Sequence, residues 1–512
     1  MQIKKTVRVP AAVSVSLIYP NNIQITGISL TGQNTTNTPF QVQFSVSWEN
    51  SWRIAGGPAN WDAAWVFVKY RLGSGPWQHA YLNPDANHVA PSGSSINTGL
   101  LTPGTAFNAT TNPGIGAFLF RSTPGNGTFT VTNAQLQWNY GANGLSDNAV
   151  VDVQLYGIEQ VFIPQGMFAA GDGLTDGQQF GITTINTAVA NSSLGGVGAL
   201  GGTNGGYPVG ASAPTSANWP NGFNAFYCMK YEISQQGYAD FLNSLTRTQQ
   251  AARVATAIPA GTTSVTNRYV LSNSVAIDTR NGIRCDATIP ASSPVTFYCD
   301  FDGDGIPGET TDGKDIACGY LNWNDVLSYL DWTGLRPMTE TEFEKAARGP
   351  VPPLAGEFAW GNTNITGLTT ILSPGLPAET PNSGANTLFG FQFGEIGPVR
   401  VGSFAGSGTN RQQAGAGYYG NMELSGNAGE LVVTMAIPSN YIGTHGNGSL
   451  SAAGIYTNSD WPNDGGSSGA GLRGGHAIST ASSLRISDRL NVLATVSFRF
   501  PTYGGRGTRT AP

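Results

Sequence analysis

The residues best suited to chemistry gather in one acidic stretch, Cys299-Asp-Phe-Asp-Gly-Asp-Gly-Ile-Pro-Gly-Glu309. Carboxylates alternate at Asp300, Asp302 and Asp304, and Gly305 follows them. This is the front half of a D-x-D-x-D-G calcium loop, in which hard oxygens converge on a hard cation. The twelfth position, where such a loop carries glutamate, holds Thr311, while Glu309 and Asp312 stand close by as substitutes. One expectation is calcium held by Asp300, Asp302, Asp304, Glu309 and Asp312, with loop ordering as its role. The other is a solvated acidic turn. Four cysteines, Cys228, Cys285, Cys299 and Cys318, permit two disulfides in three connectivities. A Cys299–Cys318 bridge would staple the acidic turn, and buried free thiols are the alternative.

Elsewhere the chemistry is sparse. His79, His88, His445 and His476 are scattered, and none makes a metal-ligand spacing. Glu340, Glu342, Glu344, Lys345 and Arg348 fall at helical spacing, which predicts a solvated face with capping and i,i+4 pairing rather than acid–base work. Arg336 and Arg473 are expected to bond loop carbonyls. There is no nucleophile elbow, phosphate loop or Ser/His/Asp arrangement in context.

Composition narrows the class. Charged residues make up 11% of the chain, against roughly 25% in average soluble domains. Glycine, 69 of 512 residues, is about twice its usual share of about 7%. Yet 40% hydrophobic residues and 11 Trp argue for packed cores over disorder. The result is a loop-rich, mostly β protein of surface character, and 512 residues make two or three domains the prior. A net charge of −6 without a Lys/Arg cluster excludes binding of nucleic acid through its phosphates. No stretch approaches the roughly 18 apolar residues of a membrane span. Met1 to Pro20 carries Lys4 and Lys5 ahead of small apolar residues, but Arg8 and Pro10 interrupt the stretch, so the signal peptide is unconvincing and an N-terminal arm, residues 1–20, is expected.

The elements follow from periodicity. Phe40, Val42, Phe44, Val46 and Trp48 alternate with polar residues, the period of a half-buried strand. Further strands are predicted at Trp65 to Tyr70, Thr128 to Val131 and Val150 to Leu155, with Gly, Pro and Asn clusters between them. An immunoglobulin-type β-sandwich over residues 21–157 is the expectation. A boundary is placed near Tyr156 to Ile163, and Thr187 to Asn221 reads as a long loop. Ser234 to Leu245 puts Tyr238, Phe241, Leu242 and Leu245 on one helical face. Trp323 to Trp332 is a second helix and Thr339 to Arg348 a third, with Thr339 and Glu342 forming a capping box. Few helices amid long irregular segments make the class α+β.

Several segments, in order, resemble the formylglycine-generating-enzyme (sulfatase-modifying factor) family. They are Val161-Phe-Ile-Pro-Gln-Gly-Met-Phe168, Phe226-Tyr-Cys-Met-Lys-Tyr-Glu-Ile-Ser234, and Leu335-Arg-Pro-Met-Thr-Glu-Thr-Glu-Phe-Glu-Lys-Ala-Ala-Arg-Gly349. Phe358-Ala-Trp-Gly-Asn362, Gly426-Asn-Ala-Gly-Glu430, Leu472-Arg-Gly-Gly475 and the closing Arg485 to Arg489 and Gly504 to Arg506 continue the order. The resemblance covers residues 158–512 and implies a loop-rich C-type-lectin-like α+β domain. It also implies a test of activity. Oxygenase members bind copper through two cysteines whose positions fall here near Ser479 and Leu484, and soft thiolates are what hold Cu(I). No cysteine follows Cys318, and Gly429 stands where the family has Trp. The chain is therefore expected not to be an enzyme, with no copper or iron.

The leading expectation is a surface-exposed binding module, outside the cell or on a virion or injection particle, that meets a glycan or cell-surface receptor. Its candidate face is Tyr418 to Trp461 and His476 to Tyr503, with Tyr419, Tyr441, Trp461, His476 and Tyr503 as the contact residues. The alternatives are a structural subunit that binds neighbouring subunits of a fibre, virion or contractile injection machine, and a metal-dependent oxidase of the formylglycine-generating class.

Overall fold

The computed structural model describes residues 22–174, 179–188, 216–390, 397–435, 440–463 and 469–512. The N-terminal arm and most of the predicted 187–221 loop lie outside the described residues. The first strands are β1 (Gln24–Thr31), β2 (Pro39–Ile54), β3 (Asn60–Leu72), β4 (Gln78–His79), β5 (Ser94–Leu100), β6 (Gly114–Arg121), β7 (Gly125–Asn139) and β8 (Val151–Ile163). The alternation read in β2 is the one observed: Phe40, Val42, Phe44, Val46 and Trp48 are buried and the residues between them are half-buried. β2 pairs along its length with β1 and β7, but only Arg53 and Ile54 ladder with β3. One layer is thus β1, β2 and β7, the other is β3, β4, β5, β6 and β8, and an apolar core fills the space between them.

β3 explains why the two layers do not stand alone. Ala64, Val66, Val68 and Tyr70 face the core between the layers, while Ala63, Trp65 and Phe67 face a second, larger core. A strand buried on both sides reads as a continuous apolar run, as Ala63 to Val68 does. The expected domain boundary at 157/158 falls inside β8. That strand pairs with β3 from Asp62↔Val161 to Leu72↔Val151.

Beyond β8 come the short ribbon β9 (Phe168–Ala170) and β10 (Thr183–Ile185), then β11 (Phe226–Met229), which pairs with the far end of β8. The sheet is therefore continuous across the expected boundary, with eleven strands, and an immunoglobulin topology is not established by it.

Four α-helices occur among the described residues. α1 (Gln235–Asn243) starts where the Ser234 side chain accepts from the Gly237 amide, and it buries Tyr238, Phe241 and Leu242. α2 (Arg247–Arg253) was not expected from the sequence; it is closed by a Thr246/Gln249 capping box. β12 (Ile283–Arg284) and β13 (Tyr298–Cys299) form a ribbon leading into the acidic stretch. α3 (Trp323–Thr333) has an Asn322/Asp325 capping box and stops at Gly334, whose φ of 76° suits only glycine and which leaves a Cβ no room against Ile115. β14 (Arg336–Pro337) leads to α4 (Glu340–Arg348), capped by Thr339 and Glu342 as predicted. After β15 (Ile371–Leu372) and β16 (Thr380–Pro381), three strands form a small sheet: β17 (Gly429–Val433), β18 (Ala470–Arg473) and β19 (Tyr503–Gly504). β20 (Gly507–Thr510) then slots between β11 and β14 in the large sheet.

Polar contacts fasten the N-terminal layers to the rest. Trp65 Nε1 donates to the Thr333 carbonyl at 2.8 Å, and Trp61 Nε1 to the Tyr227 hydroxyl at 3.1 Å. Lys69 Nζ, fully buried, donates to the carbonyls of Trp332 (2.7 Å) and Gly448 (2.6 Å). Lys230 on the family side pairs with Asp62 (3.3 Å) and Glu159 (3.0 Å). No helix among the described residues is long and apolar enough to cross a membrane.

Candidate functional site

Three places were marked by sequence for chemistry: helix α4, the C-terminal loops and the acidic stretch. On α4 the expected solvated face is absent. Glu340, Glu342, Glu344, Lys345 and Arg348 are all buried. The partners of the three glutamates are arginines, two of them, Arg473 and Arg489, from segments more than a hundred residues away. Arg489 reaches Glu340 through Nε (2.7 Å) and Nη2 (2.9 Å). Arg336 grips Glu342 through both terminal nitrogens (2.8 and 2.6 Å). Glu344 accepts from Arg473 (2.5 Å) and, one turn along its own helix, from Arg348 (3.0 Å). Arg348 also donates to Glu357 at 2.5 Å. Arg336 and Arg473 do bond loop carbonyls, of Pro337 and of Ile486 and Asp488, but their main partners are these carboxylates. Burial on its own would raise the Glu340 carboxyl, but the charge and hydrogen bonds of Arg489, the charge of Arg473 and the Met435 amide together depress it. Lys345 lacks such a partner: its ammonium donates to the Gly222 and Phe223 carbonyls, and burial pushes it down to about 7. Buried and paired with arginines, Glu340, Glu342 and Glu344 join the segments that carry those arginines to α4.

Ser479 and Leu484, near which the resemblance places the copper cysteines, lie in the C-terminal loops. The Ser479 hydroxyl accepts from the His476 amide at 3.0 Å. Leu484 is fully buried in a small apolar cluster with Phe358 and Trp360. At Gly429, a Cβ would meet Leu472 Cδ2 at 3.0 Å, with His476 Cβ beyond it at 3.6 Å. The space that the family's Trp would claim is taken by these neighbours. His476 itself is half-buried; its Nδ1 lies 3.0 Å from the Thr502 hydroxyl, and burial lowers its pKa to about 4, so it is neutral at pH 7. The four histidines lie apart, each hydrogen-bonded locally: His79 to the Ile115 carbonyl, His88 to Thr98, His445 to the Thr510 amide and His476 to Thr502.

The expected aromatic contact face is not on the surface. Tyr419, Tyr441, Trp461 and Tyr503 are 3%, 0%, 4% and 8% exposed. Tyr441 donates to the Pro337 carbonyl and Trp461 to the Thr444 carbonyl, so even their polar tips point inward. A fold with little regular structure builds its core from loop aromatics, which is what these do. The large apolar side chains that these loops do expose are Ile442, Ile455, Leu490, Leu493 and Phe498, which sequence reasoning did not single out. Their signal is faint, because isolated exposed apolar residues are ordinary.

The acidic stretch is assembled as predicted in part. Ligand-capable oxygens of Asp300, Asp302 and Asp304 lie within 4.8 Å of one another, and so do those of Asp302, Glu309 and Asp312. Asp300 is buried against Arg284, with which it forms an ion pair, and it also accepts from the amides of Gly303 (3.0 Å) and Gly305 (3.2 Å). Asp312 Oδ2 accepts from the amides of Gly308 (2.7 Å) and Glu309 (2.8 Å). Burial, more than any neighbour, pushes Asp312 up to about 6. The Cys299–Cys318 bridge is not formed. All four cysteines are buried free thiols, and burial raises each of them, Cys285 to about 11 and Cys228 to about 12. Asn281 points its amide at the Cys318 sulfur instead, at 3.9 Å.

Strands that end in loops, capped helices inserted between them, and arginine–carboxylate pairs joining segments more than a hundred residues apart define a loop-rich α+β class. The sequence segments named above meet in that network: Asn427 donates to Glu232 at 2.8 Å, and Arg506 to Glu430 at 2.5 Å. The chain belongs to the family of the Sulfatase-modifying factor enzyme 1-like domain, whose family model matches residues 157–510, more than half of the chain. The match begins within β8, so one strand serves both the family region and the N-terminal layers. The Formylglycine-generating enzyme of Bos taurus is 27% identical over 139 residues, covering 27% of this chain and 34% of the relative. The Formylglycine-generating enzyme of Thermomonospora curvata is 39% identical over 57 residues, covering 11% and 18%. The chain thus spans about a third or less of the length of these relatives. Among solved structures, Treponema denticola variable protein 1 matches with a TM-score of 0.30 and 12% identity, over 69% of this chain and 96% of that one.

Proposed function

We propose that this chain is a non-catalytic member of its family, a binding module that meets a glycan or protein receptor outside the cell and sits among neighbouring subunits of a surface or particle assembly. The observation that carries the non-catalytic reading is Leu484. Its side chain is buried against Phe358 and Trp360 near a position where the resemblance calls for a copper-binding thiolate. An aliphatic carbon donates nothing to Cu(I). The four thiols present are buried elsewhere and held protonated, whereas a metal ligand must be the thiolate. The binding face rests on the same C-terminal loops. Ile442, Ile455, Leu490, Leu493 and Phe498 offer apolar side chains there, on a frame held by the buried ion pairs.

Native mass spectrometry of the purified chain, reduced and supplied with Cu(I), tests the reading. The expected result is no retained copper and no formylglycine formed in a cysteine-containing peptide. Stoichiometric copper together with formylglycine would overturn it in favour of an oxidase. The same spectra weigh the chain: a homo-oligomer favours the structural-subunit form of the proposal and a monomer favours a free binder.

A further inference from the structure

Two groups of carboxylates, Asp300/Asp302/Asp304 and Asp302/Glu309/Asp312, share Asp302, and within each group the oxygens lie within 4.8 Å of one another. Oxygens bound to one calcium ion at about 2.3–2.6 Å lie at most about 4.6–5.2 Å apart. The 4.8 Å ceiling on their mutual spacing here is within that limit. An acidic turn alone does not establish a site, because exposed carboxylates crowd without ions. The second observation is Asp312. It is 3% exposed, its Oδ2 is satisfied by two amides, and its Oδ1 is buried with no hydrogen-bond partner. An unsatisfied buried oxygen is costly, and more so on a carboxylate. Its carboxylate sits among those of Asp302 and Glu309, so what is lacking on that side is a positive partner.

Among the described residues the ion pair in this stretch is Arg284 with Asp300, and none of the ion pairs reaches Asp302, Asp304, Glu309 or Asp312. The donors are all oxygens, which selects a hard cation over zinc or copper. They come from a glycine-containing loop rather than a rigid octahedral cage, which favours calcium over magnesium.

We propose that residues 300–312 bind one calcium ion, with Asp302, Glu309 and Asp312, which lie together, as carboxylate ligands, Asp304 joining them from the neighbouring group through the shared Asp302, and Asp300, held by Arg284, anchoring the loop beneath it. The glutamate expected at the twelfth position is replaced in space by Asp312, one residue later. The ion has a structural role. Phe301, inside the loop, lies under the Arg280 guanidinium at 4.9 Å and against Gly313 and Gly375, and Arg280 pairs with Glu379. Fixing the loop therefore fixes the contact between residues 300–313 and 375–379. This proposal is independent of the reading of the C-terminal loops.

The test uses the full chain stripped with EDTA and titrated with CaCl2 alone by calorimetry. One calcium per chain is expected, with a raised Tm, and with MgCl2 at least tenfold weaker. Asp302→Asn is at an exposed position and leaves the apo fold intact by circular dichroism; it is expected to weaken calcium binding tenfold or more. Asp312→Asn does the same, and terbium luminescence competed by calcium reads the site even where heats are small. The proposal is overturned if no saturable binding occurs up to about 10 mM calcium, tenfold above the weakest class of protein calcium sites. It is equally overturned if binding survives unchanged in the Asp302→Asn/Asp312→Asn double variant, which would locate the ion elsewhere.

Discussion

Helix α4 and the acidic stretch both crowd carboxylates, and they settle the charge in opposite ways. On α4, Glu340, Glu342 and Glu344 are fully buried, and each faces an arginine at 2.5–2.7 Å, from distant segments for Glu340 and Glu344 and from the preceding strand for Glu342. In the 300–312 stretch, Asp302, Asp304 and Glu309 are exposed and have no cationic side chain. Desolvated charge needs a fixed partner built into the chain, because the cost of an isolated buried ion is several kcal/mol. Charge left at the surface tolerates waiting for a partner from solvent. The first arrangement makes a frame and the second makes a receptor for an ion.

The comparison breaks most sharply if a frame charge loses its partner. Arg489→Met leaves Glu340 buried with the Met435 amide as its remaining donor (2.6 Å). The expected loss is about 3–5 kcal/mol, read by urea denaturation. The double variant Glu340→Met/Arg489→Met is expected to recover most of it, since two well-packed apolar residues carry no orphaned charge. A single-variant loss under about 1 kcal/mol would mean that solvent reaches the pair and that α4 is not a buried frame.

This frame is the part that sequence reading handled least well. The capping of α4 was legible because Thr339 and Glu342 are three residues apart. The burial of its charges was not, since Arg473 and Arg489 lie more than a hundred residues away and nothing local marks them as partners. A clue was present: Glu340, Glu342 and Glu344 are two apart, so they cannot share one solvated face of a helix. The strand β2 was legible through its alternation and the start of the family region near residue 157 was legible through its motifs, but not that one strand, β8, runs through that point. The aromatic face failed for a related reason. Tyr441 and Trp461 look like contact residues in a loop-rich sequence, but in a fold short of helices the loops themselves supply the core. The acidic stretch was legible because its chemistry is contained in thirteen residues.

A buried carboxylate between the two extremes sharpens the comparison. Glu423 accepts from the Gly402 amide at 2.8 Å, but its Oε2 is buried without a partner. Burial raises it to about 7, with Arg506 and Arg400 pulling the other way. The folded pKa exceeds the unfolded one, so the folded state holds its proton more tightly. The penalty is absent well below pH 4.5, grows as pH rises towards 7, and is complete above it. Glu423→Gln is therefore expected to stabilise the protein at pH 8 by about 1–3 kcal/mol and to change little at pH 4. The check is urea denaturation at both values. Equal effects at the two pH values would show that the carboxyl is already compensated, as those on α4 are.

The smallest effect reverses its sign with the ion. Asp304 stands beside Glu309 and is the largest cause of that carboxyl's raised pKa. Its Oδ1 accepts from the Ile306 amide at 2.7 Å, an interaction that an asparagine oxygen keeps. In EDTA, Asp304→Asn removes like-charge repulsion and is expected to raise Tm slightly, with Glu309 titrating closer to an ordinary glutamate by NMR. In saturating calcium the same change removes a ligand, and Tm is expected to fall below that of the unaltered chain. A surface turn with no ion would show the gain under both conditions, whereas a frame of the α4 kind would show a loss under both. Only a site completed by a cation from solvent makes one substitution helpful without the ion and harmful with it.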